Sequence, residues 1–479
     1  MPILRPFVGR TRELEQLHAE LKVQKPSLVI AYGRRRIGKS RLLIEAIADT
    51  PSIYFQATRV TSALNLSAFK AEIGNALGND PILDGLSSWD SVLHYLSEKA
   101  ADQHPRLGVI IDEFPYIVDE DPALPSIVQK FWDSGSPSKG NLKLILCGSA
   151  IAQMEELMAG KNPLYGRKTM SIDLKQLPLK DAIQFFPSYS PQEALEAYAI
   201  FGGVPHYLQL CDPDLSLREN IIRLLLTETG PLIDDPMATL TSELRDTSTY
   251  SSILAAIADG CTTHKDITGR LNMEGASLSP YYAKLDTLDL IERNRSLDAE
   301  PKSRNQRFSI SDPLMIFWHR YVRTNLSAIS NGHGNEVYSS IIVPDFASYM
   351  GAAFERIARH FMMRSASSLL GVPASEVGAI WGHADFDIDV AGRALDNRFF
   401  YGECKWLNAP MDIGMLNRLI ENSERTAYGK GKSDKIYILF SRSGFKDDLL
   451  ERVNADERIH TLTPEAMIAW MLEDNPHKE

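Results

Sequence analysis

Gly33-Arg34-Arg35-Arg36-Ile37-Gly38-Lys39-Ser40 decides how this chain is read. It satisfies G-x-x-x-x-G-K-[ST] at each fixed position, and its flanks supply the context that the motif needs. Ser27-Leu28-Val29-Ile30-Ala31-Tyr32 before it is a short apolar run of the kind a buried strand shows. Arg41-Leu42-Leu43-Ile44-Glu45-Ala46-Ile47-Ala48 after it spaces its apolar residues as a helix does. Strand, glycine-bearing loop and helix together predict a phosphate-binding loop. The glycines let backbone N–H groups turn toward a polyphosphate, and the helix N-terminus adds the positive end of its dipole. Lys39 is then expected at the β- and γ-phosphates and Ser40 at Mg²⁺. Gly33 to Arg41 is the expected nucleotide-binding set. Within it Arg34, Arg35 and Arg36 also read as solvated loop charges. A motif match in an ordinary surface loop is the alternative that the flanks argue against.

Farther out, two more apolar runs end in polar side chains. Leu107-Gly108-Val109-Ile110-Ile111 leads into Asp112-Glu113, the pattern of a strand buried on both faces with two acids at its end. Ligands of open α/β sheets bind outside the carboxyl ends of the strands. Asp112 is therefore expected to bind Mg²⁺ through water, and Glu113 to orient or deprotonate the attacking water. A strand followed by a plain polar turn is the alternative. Leu142 to Gly148 predicts a third strand, ending at Ser149. Ser149 is a candidate sensor of the γ-phosphate or of the attacking water, or equally the cap of a helix from Ala150 onward. Arg167 is a candidate arginine finger, supplied in cis or to a neighbouring subunit. Near the start, Thr11 to Leu17 reads as a helix with Thr11 as cap and Glu13 in an acidic first turn.

Val8-Gly9-Arg10, the glycine loop, Ile111-Asp112-Glu113, Cys147-Gly148-Ser149 and Gly202-Gly203-Val204-Pro205 together resemble the archaeal-type ATPase family. That family is a branch of the AAA-like P-loop ATPases close to the signal-transduction (STAND) NTPases. The resemblance implies ATP and Mg²⁺ as cofactors. It also implies that Val8, Gly9 and Arg10 lie near the adenine, and that Gly203 and Pro205 border the base from a lid. Pro205 reads equally as a helix breaker.

His206 to Glu228 reads as the amphipathic helices of such a lid, and Pro231 to Pro236 as a break. Residues 251 to 295 read as a winged helix-turn-helix. Its helices are expected at Ser252–Ala258, from Thr263, and at Ser277–Leu285, and its wing at Leu288–Arg293 paired with Arg304–Ile310. Ser277, Ser279, Tyr281, Tyr282 and Lys284 are the residues expected at a DNA major groove if the module binds DNA. Residues 251 to 310 carry eight basic and eight acidic side chains, which fits an intramolecular packing module equally well. Ser311 to Val322 reads as a buried connecting helix with a structural His319, and Asn331-Gly332-His333-Gly334-Asn335 as a flexible linker.

A second constellation follows the linker. Gly351 to Phe361 is an amphipathic helix carrying Glu355. Val377–Trp381 and Asp385–Val390 alternate as strands. Phe399–Trp406 is a strand whose Glu403 and Lys405, two apart, share a face. An acid on one strand and Glu-x-Lys on the next resembles the PD-(D/E)XK nuclease fold. That resemblance implies Asp389 and Glu403 as Mg²⁺ ligands, Lys405 as the group that orients or activates water, and Glu355 as a further ligand. Ile388 stands where that motif has proline, and Asp387 competes with Asp389 as the first ligand. A strand of alternating solvated charges is the alternative, and the fold also occurs in inactive copies.

The chain of 479 residues is too long for one core. Its expected architecture is α/β and multidomain: a P-loop NTPase parallel-sheet core (1–205), a helical lid (206–245), a winged helix (246–328) and a restriction-endonuclease-like α/β domain (329–479). A net charge of −11 argues against a generally basic, nucleic-acid-coating surface. Cys147, Cys211, Cys261 and Cys404 form no C-x-x-C pair, so free thiols are expected. No apolar run is long enough for a bilayer, and Met1 to Pro6 lacks the core of a secretion signal, so the expected location is the cytoplasm. The expected role is an ATPase, binding ATP and ADP, that gates a metal-dependent nuclease-like domain acting on DNA. The competing role is a signalling ATPase that binds partners without cleavage. A homo-oligomer or a protein partner is compatible with both.

Overall fold

The computed structural model describes residues 7–102, 106–244, 246–273, 275–300, 306–383 and 385–473. The chain divides into two compact units, Met1–Leu177 with Val204–His206, and Pro178–Gly203 with Tyr207–Glu479. The contacts thus divide after Leu177, inside the stretch 1–205 expected for the P-loop core. The helix Pro191–Phe201 belongs to the second unit, and only a short return, Val204–His206, belongs to the first.

In the first unit β1 (Ser27–Tyr32), β2 (Ser52–Gln56), β3 (Gly108–Asp112), β4 (Lys143–Gly148) and β5 (Met170–Asp173) form a 5-stranded sheet. The order is β2-β3-β4-β1-β5, and every pair is parallel. Parallel neighbours need helical crossovers, which cover both faces. β3 and β4 are accordingly buried at each position, and β1 at all but its last. Phe55, Phe69 and Trp89 pack in the core beneath, with ring centroids 5.2 and 5.5 Å apart in sequence. Because β1 lies beside β4, and β4 beside β3, the carboxyl ends carrying Gly33, Ser149 and Asp112–Glu113 share one edge.

Lys143, fully buried at the start of β4, breaks the apolar pattern of that strand. Its ammonium donates to the carbonyls of Val23 (2.7 Å) and Lys25 (2.5 Å) and to Ser27 Oγ (3.1 Å). A buried cation is tolerated when hydrogen-bonded in this way, and burial still pushes its pKa down to about 8. The first helix, Thr11–Lys22, has Arg10 rather than Thr11 as its N-cap residue, at φ 61° and without a side-chain cap. Arg10 is fixed there by its guanidinium, which donates to Glu13 (3.1 Å) and to the carbonyls of Ile37 (3.1 Å) and Lys175 (2.5 Å).

In the second unit three helices, Thr247–Ala258, His264–Leu271 and Gly275–Thr287, lead into the antiparallel pair β6 (Ile291–Arg295) and β7 (Gln306–Ile310). Leu254, Ile267, Leu278, Tyr282 and Phe308 belong to one core, with Tyr282 stacked on Phe308 at 4.4 Å. Tyr282 is therefore not available to a groove of DNA. Arg304 and Asn305, expected to open the returning strand, lie outside the described residues, as do Met1 to Pro6. His319 is buried as expected of a structural residue, and burial, then the charge of Arg323, brings its pKa down to about 3.

Residues 331–335 are not a flexible linker. Asn331 Nδ2 donates to Ser327 O (2.8 Å) and the His333 N–H to Ala328 O (3.0 Å). A Cβ on Gly334 would stand 1.8 Å from Leu226 O, so the glycine there serves a close backbone approach. Helix resumes at Gly334 and runs into the long helix Val343–Leu370. That helix precedes β8 (Ala374–Ile380), β9 (Ile388–Ala394), β10 (Phe399–Lys405), β11 (Ile436–Ser441) and β12 (Ile459–Leu462). The sheet order is β12-β11-β10-β9-β8, with β8–β9–β10 antiparallel and β10–β11–β12 parallel. The helix Ile413–Arg425 makes the crossover from β10 to β11. β9 begins at Ile388, so Asp385 and Asp387 precede the strand and Asp389 lies in it.

Candidate nucleotide site and carboxylate cluster

The loop after β1 folds closely on itself. A Cβ on Gly33 would meet Leu174 O at 2.4 Å, and Gly38 has φ 91°. The Cβ position of Gly38 lies 3.5 Å from Pro205 Cγ, so Pro205 does pack at the loop. Lys39 Nζ donates to the carbonyls of Gly33 (2.9 Å) and Arg34 (3.1 Å), and burial pulls its pKa below the ordinary value. Arg35 donates to Tyr116 OH (2.8 Å), and Arg36 takes φ 67°. Ile37 is buried, whereas Arg41 is exposed and pairs with Glu45 at 3.3 Å. Val8 precedes Gly9, which has φ 70°.

Beside the loop, Ser40 Oγ donates to Asp112 Oδ2 at 2.5 Å. The same oxygen accepts from Tyr54 OH at 2.7 Å, while Oδ1 takes the Glu113 N–H at 2.9 Å. Burial, then the charge of Asp112, pushes the Tyr54 phenol up. Glu113 is the left-handed residue (φ 52°) that starts the helix Phe114–Glu120. Its carboxylate accepts from Ser149 Oγ (3.0 and 2.9 Å) and from the Ser149 N–H (3.2 Å). The following helix, Ile151–Leu157, has Ala150 at its N-cap, so Ser149 serves Glu113 and is not the cap. Ser40 and Asp112 present hard oxygens side by side, the donor type that Mg²⁺ prefers.

Arg167 is not gathered into this group. Its guanidinium is held in bidentate fashion by Asp133 (2.9 and 2.8 Å) and donates to the carbonyls of Pro163 and Tyr165. An arginine so committed ties its own loop to the end of the helix Leu124–Asp133, and within this chain it does not join the group as a finger supplied in cis would.

Residues 7–211 match a family described as an ATPase domain predominantly from Archaea. Residues 318–419 match a second family, described as Archaea bacterial proteins of unknown function. An uncharacterized protein of Methanocaldococcus jannaschii is 29% identical over 432 residues, covering 89% of this chain and 92% of that one. Among solved structures, a Walker-type ATPase of Pyrococcus abyssi superposes with a TM-score of 0.51 at 21% identity, over 66% of this chain and 99% of that one. An Aeropyrum pernix ORC2 protein solved with ADPNP and ADP gives a TM-score of 0.34 at 15% identity, over 70% and 96%. The likeness to the Pyrococcus protein is one of fold, and it agrees with the P-loop sheet described above.

In the second unit two of the expected acids, Asp389 and Glu403, meet around one lysine. Lys405 Nζ lies 2.5 Å from Glu403 Oε1 and 3.9 Å from Asp389 Oδ2. Asp389 Oδ2 also accepts the Cys404 N–H at 2.9 Å. Arg359, which sequence reasoning passed over, donates to Asp389 O (2.7 Å) and lies 3.7 Å from Glu355. Burial, then the charge of Asp389, raises Glu403 and carries Glu355 up to about 7. Asp389 is raised by burial. Against desolvation, Glu403 and Asp389 hold the Lys405 ammonium above its ordinary value. Asp387 stands apart, 3.7 Å from Arg307. As placed, no three His, Cys, Asp or Glu side chains among the described residues are set to hold one metal ion. The four cysteines are free, and no described helix is long and apolar enough to cross a membrane.

Proposed function

We propose that this chain is an ATP-hydrolysing switch whose nucleotide state acts on a C-terminal PD-(D/E)XK-type domain. The observation that carries the reading is the Ser40–Asp112 pair at 2.5 Å with Glu113 held alongside by Ser149. In it, Ser40 and Asp112 would hold Mg²⁺, which when bound neutralises charge on the phosphates. Lys39 leaves the loop carbonyls for the β- and γ-phosphates, a charge-assisted contact stronger than the neutral ones it replaces. Glu113, released from Ser149, orients the attacking water and accepts its proton. Pro205, packed at Gly38, supports a lid-side contact to the nucleotide. Purified protein is expected to hydrolyse ATP in Mg²⁺, and Lys39→Ala to abolish turnover. Wild-type turnover in that variant refutes the assignment.

A second reading, metal-dependent phosphodiester cleavage by the C-terminal domain, is favoured by two features. Helix, antiparallel meander, crossover helix and parallel strand is the order of a PD-(D/E)XK core; Asp389, Glu403 and Lys405 meet on it, and Glu355 stands beside Arg359, which donates to Asp389 O. Among the described residues the carboxylates do not converge on a metal position as placed, so cleavage requires that they first close around an ion. The three helices and ribbon of residues 247–310 support a winged-helix module in which Ser277 and Ser279 are exposed and Lys284 is half-buried. Plasmid and linear DNA incubated with Mg²⁺ or Mn²⁺ decide between the readings. Cleavage lost in Lys405→Ala supports a nuclease, and inert DNA with intact ATP turnover supports a regulatory ATPase.

A further inference from the structure

A cleft of about 600 Å³ lies within the second unit, walled by the β6–β7 ribbon, the long helix Val343–Leu370 and β8. Arg293, Arg295 and Arg307 line it from the ribbon, and Arg320, Arg356 and Arg359 from the helices; its acids are Glu292 and Glu355. In a chain of net charge −11, that is a local reversal of sign. Four of the arginines have acidic neighbours: Arg293 with Asp286, Arg307 with Asp387, Arg320 with Asp345 and Arg359 with Glu355. Arg356 forms no ion pair with the described residues. A second group also lacks a partner there. Trp381 lines the cleft at 8% exposure, and its indole N–H has no acceptor among the described residues. Arg307 lies 5.0 Å over its ring.

We propose that this cleft binds a single-stranded phosphodiester chain and leads it to the Glu355–Asp389–Glu403–Lys405 cluster, an inference that rests on the nuclease-type reading of that domain. Glu355 and Arg359 belong to both places: they line the cleft, and Arg359 donates to Asp389 O. Guanidinium groups match phosphate oxygens with paired N–H donors. A phosphate oxygen also supplies the acceptor that a buried indole N–H needs, since leaving it unmade is costly. The volume is that of a small-ligand site, which suits a few unpaired nucleotides and not the width of a duplex. The walls are tied by two hydrogen bonds: the Leu297 N–H donates to Ala379 O (3.1 Å) and the Trp381 backbone N–H to Ser296 Oγ (2.9 Å).

The test is fluorescence anisotropy of the full chain with a labelled mixed-sequence DNA strand, and with the duplex of the same sequence, in EDTA. The single strand is expected to bind at least about tenfold tighter than the duplex, with affinity falling as salt rises. Arg356→Gln is expected to weaken strand binding about tenfold and to lower the salt slope by about 0.7. Trp381→Phe keeps an aromatic face, loses the donor and is expected to weaken binding about fivefold. Arg452→Gln, an exposed position paired with Asp456, is expected to bind like wild type. Arg307→Gln gives an independent reading should Arg356→Gln lose its native circular dichroism. Failure of the wild type to bind the strand, equal binding of the duplex, or wild-type affinity in the folded cleft variants overturns the proposal. Because EDTA removes metal, binding without cleavage in a separate Mn²⁺ assay counts against the nuclease reading and leaves the cleft standing. Cleavage lost in Lys405→Ala but indifferent to Arg356→Gln counts against the cleft alone.

Discussion

Tyr54→Phe removes one oxygen and tests the architecture of the nucleotide site. Tyr54 OH reaches Asp112 Oδ2 at 2.7 Å, and that carboxylate is 1% exposed. A hydrogen bond to a charged partner contributes about 1.5–3 kcal/mol, and Tyr54 is only half-buried, so about 2 kcal/mol is expected. For a unit of this size each kcal/mol moves the melting temperature by about 2–4 °C, which gives a fall of about 4–8 °C. The carboxylate would also lose one of the two donors that fix Oδ2, with Ser40 left as the other. Groups that orient a metal ligand typically govern affinity by about 10–100-fold, so the Mg²⁺ concentration needed for half-maximal ATP binding is expected to rise by at least about tenfold. Both effects are read by thermal melts of the nucleotide-stabilised transition, across a Mg²⁺ titration, against Tyr54→Leu as a variant that also loses the ring. An unchanged melting temperature with an unchanged Mg²⁺ requirement refutes the reasoning.

Gly33→Ala places a methyl 2.4 Å from Leu174 O. It is expected to cost on the order of 3 kcal/mol and to abolish retention of a fluorescent ATP analogue. Ser149→Ala strips the hydroxyl contacts from Glu113, leaving the N–H bond of 3.2 Å. Nucleotide affinity is expected to stay within about threefold while turnover changes by at least about tenfold, measured by single-turnover hydrolysis. Glu355, with a folded pKa of about 7 above its ordinary value, binds more protons folded than unfolded between about pH 4.5 and 7. Its contribution to stability is therefore full below the unfolded value and lost as pH rises through 7. Urea denaturation should show wild type losing stability across that window relative to Glu355→Gln, and parallel profiles would contradict the shift.

The nucleotide loop was legible because each of its signals is local. An apolar run, two glycines, a lysine and a helical repeat lie within some twenty residues, and no distant residue is needed to interpret them. That Asp112, Glu113 and Ser149 would gather at one edge of the sheet was legible for a related reason, since each ends an apolar run that reads as a buried strand. Tyr54 was not. Its bond to Asp112 depends on β2 lying beside β3 in register, with Gln56 opposite Asp112, and no spacing along the chain encodes that. The same holds for Arg359, which reaches Asp389 from a different element. Asn331 to Asn335 misled because glycine and asparagine serve both slack linkers and tight packing. A glycine demanded by Leu226 O is indistinguishable in sequence from one demanded by a hinge. The side on which the helix Pro191–Phe201 packs was illegible for a similar reason. Whether Pro191–Phe201 joins one unit or the other is settled by tertiary contacts, and the helix's own pattern shows only that it has an apolar face.

The ribbon turn has a consequence for how such chains diversify. Leu297 bonds β8 through Ala379, Ser296 receives the Trp381 N–H, and Asp298 is met by His383 (2.6 Å) and Thr426 (2.8 Å). Partners on both sides of residue 329 thus complete one another's hydrogen bonds. A recombination event that exchanged the C-terminal sheet alone would leave the carboxylate of Asp298 with Ser296 Oγ in place of three donors and leave Leu297 bare against a foreign strand. Ribbon and sheet are therefore expected to be inherited together, and related chains that carry one without the other should show apolar or truncated residues where Ser296 and Asp298 stand here.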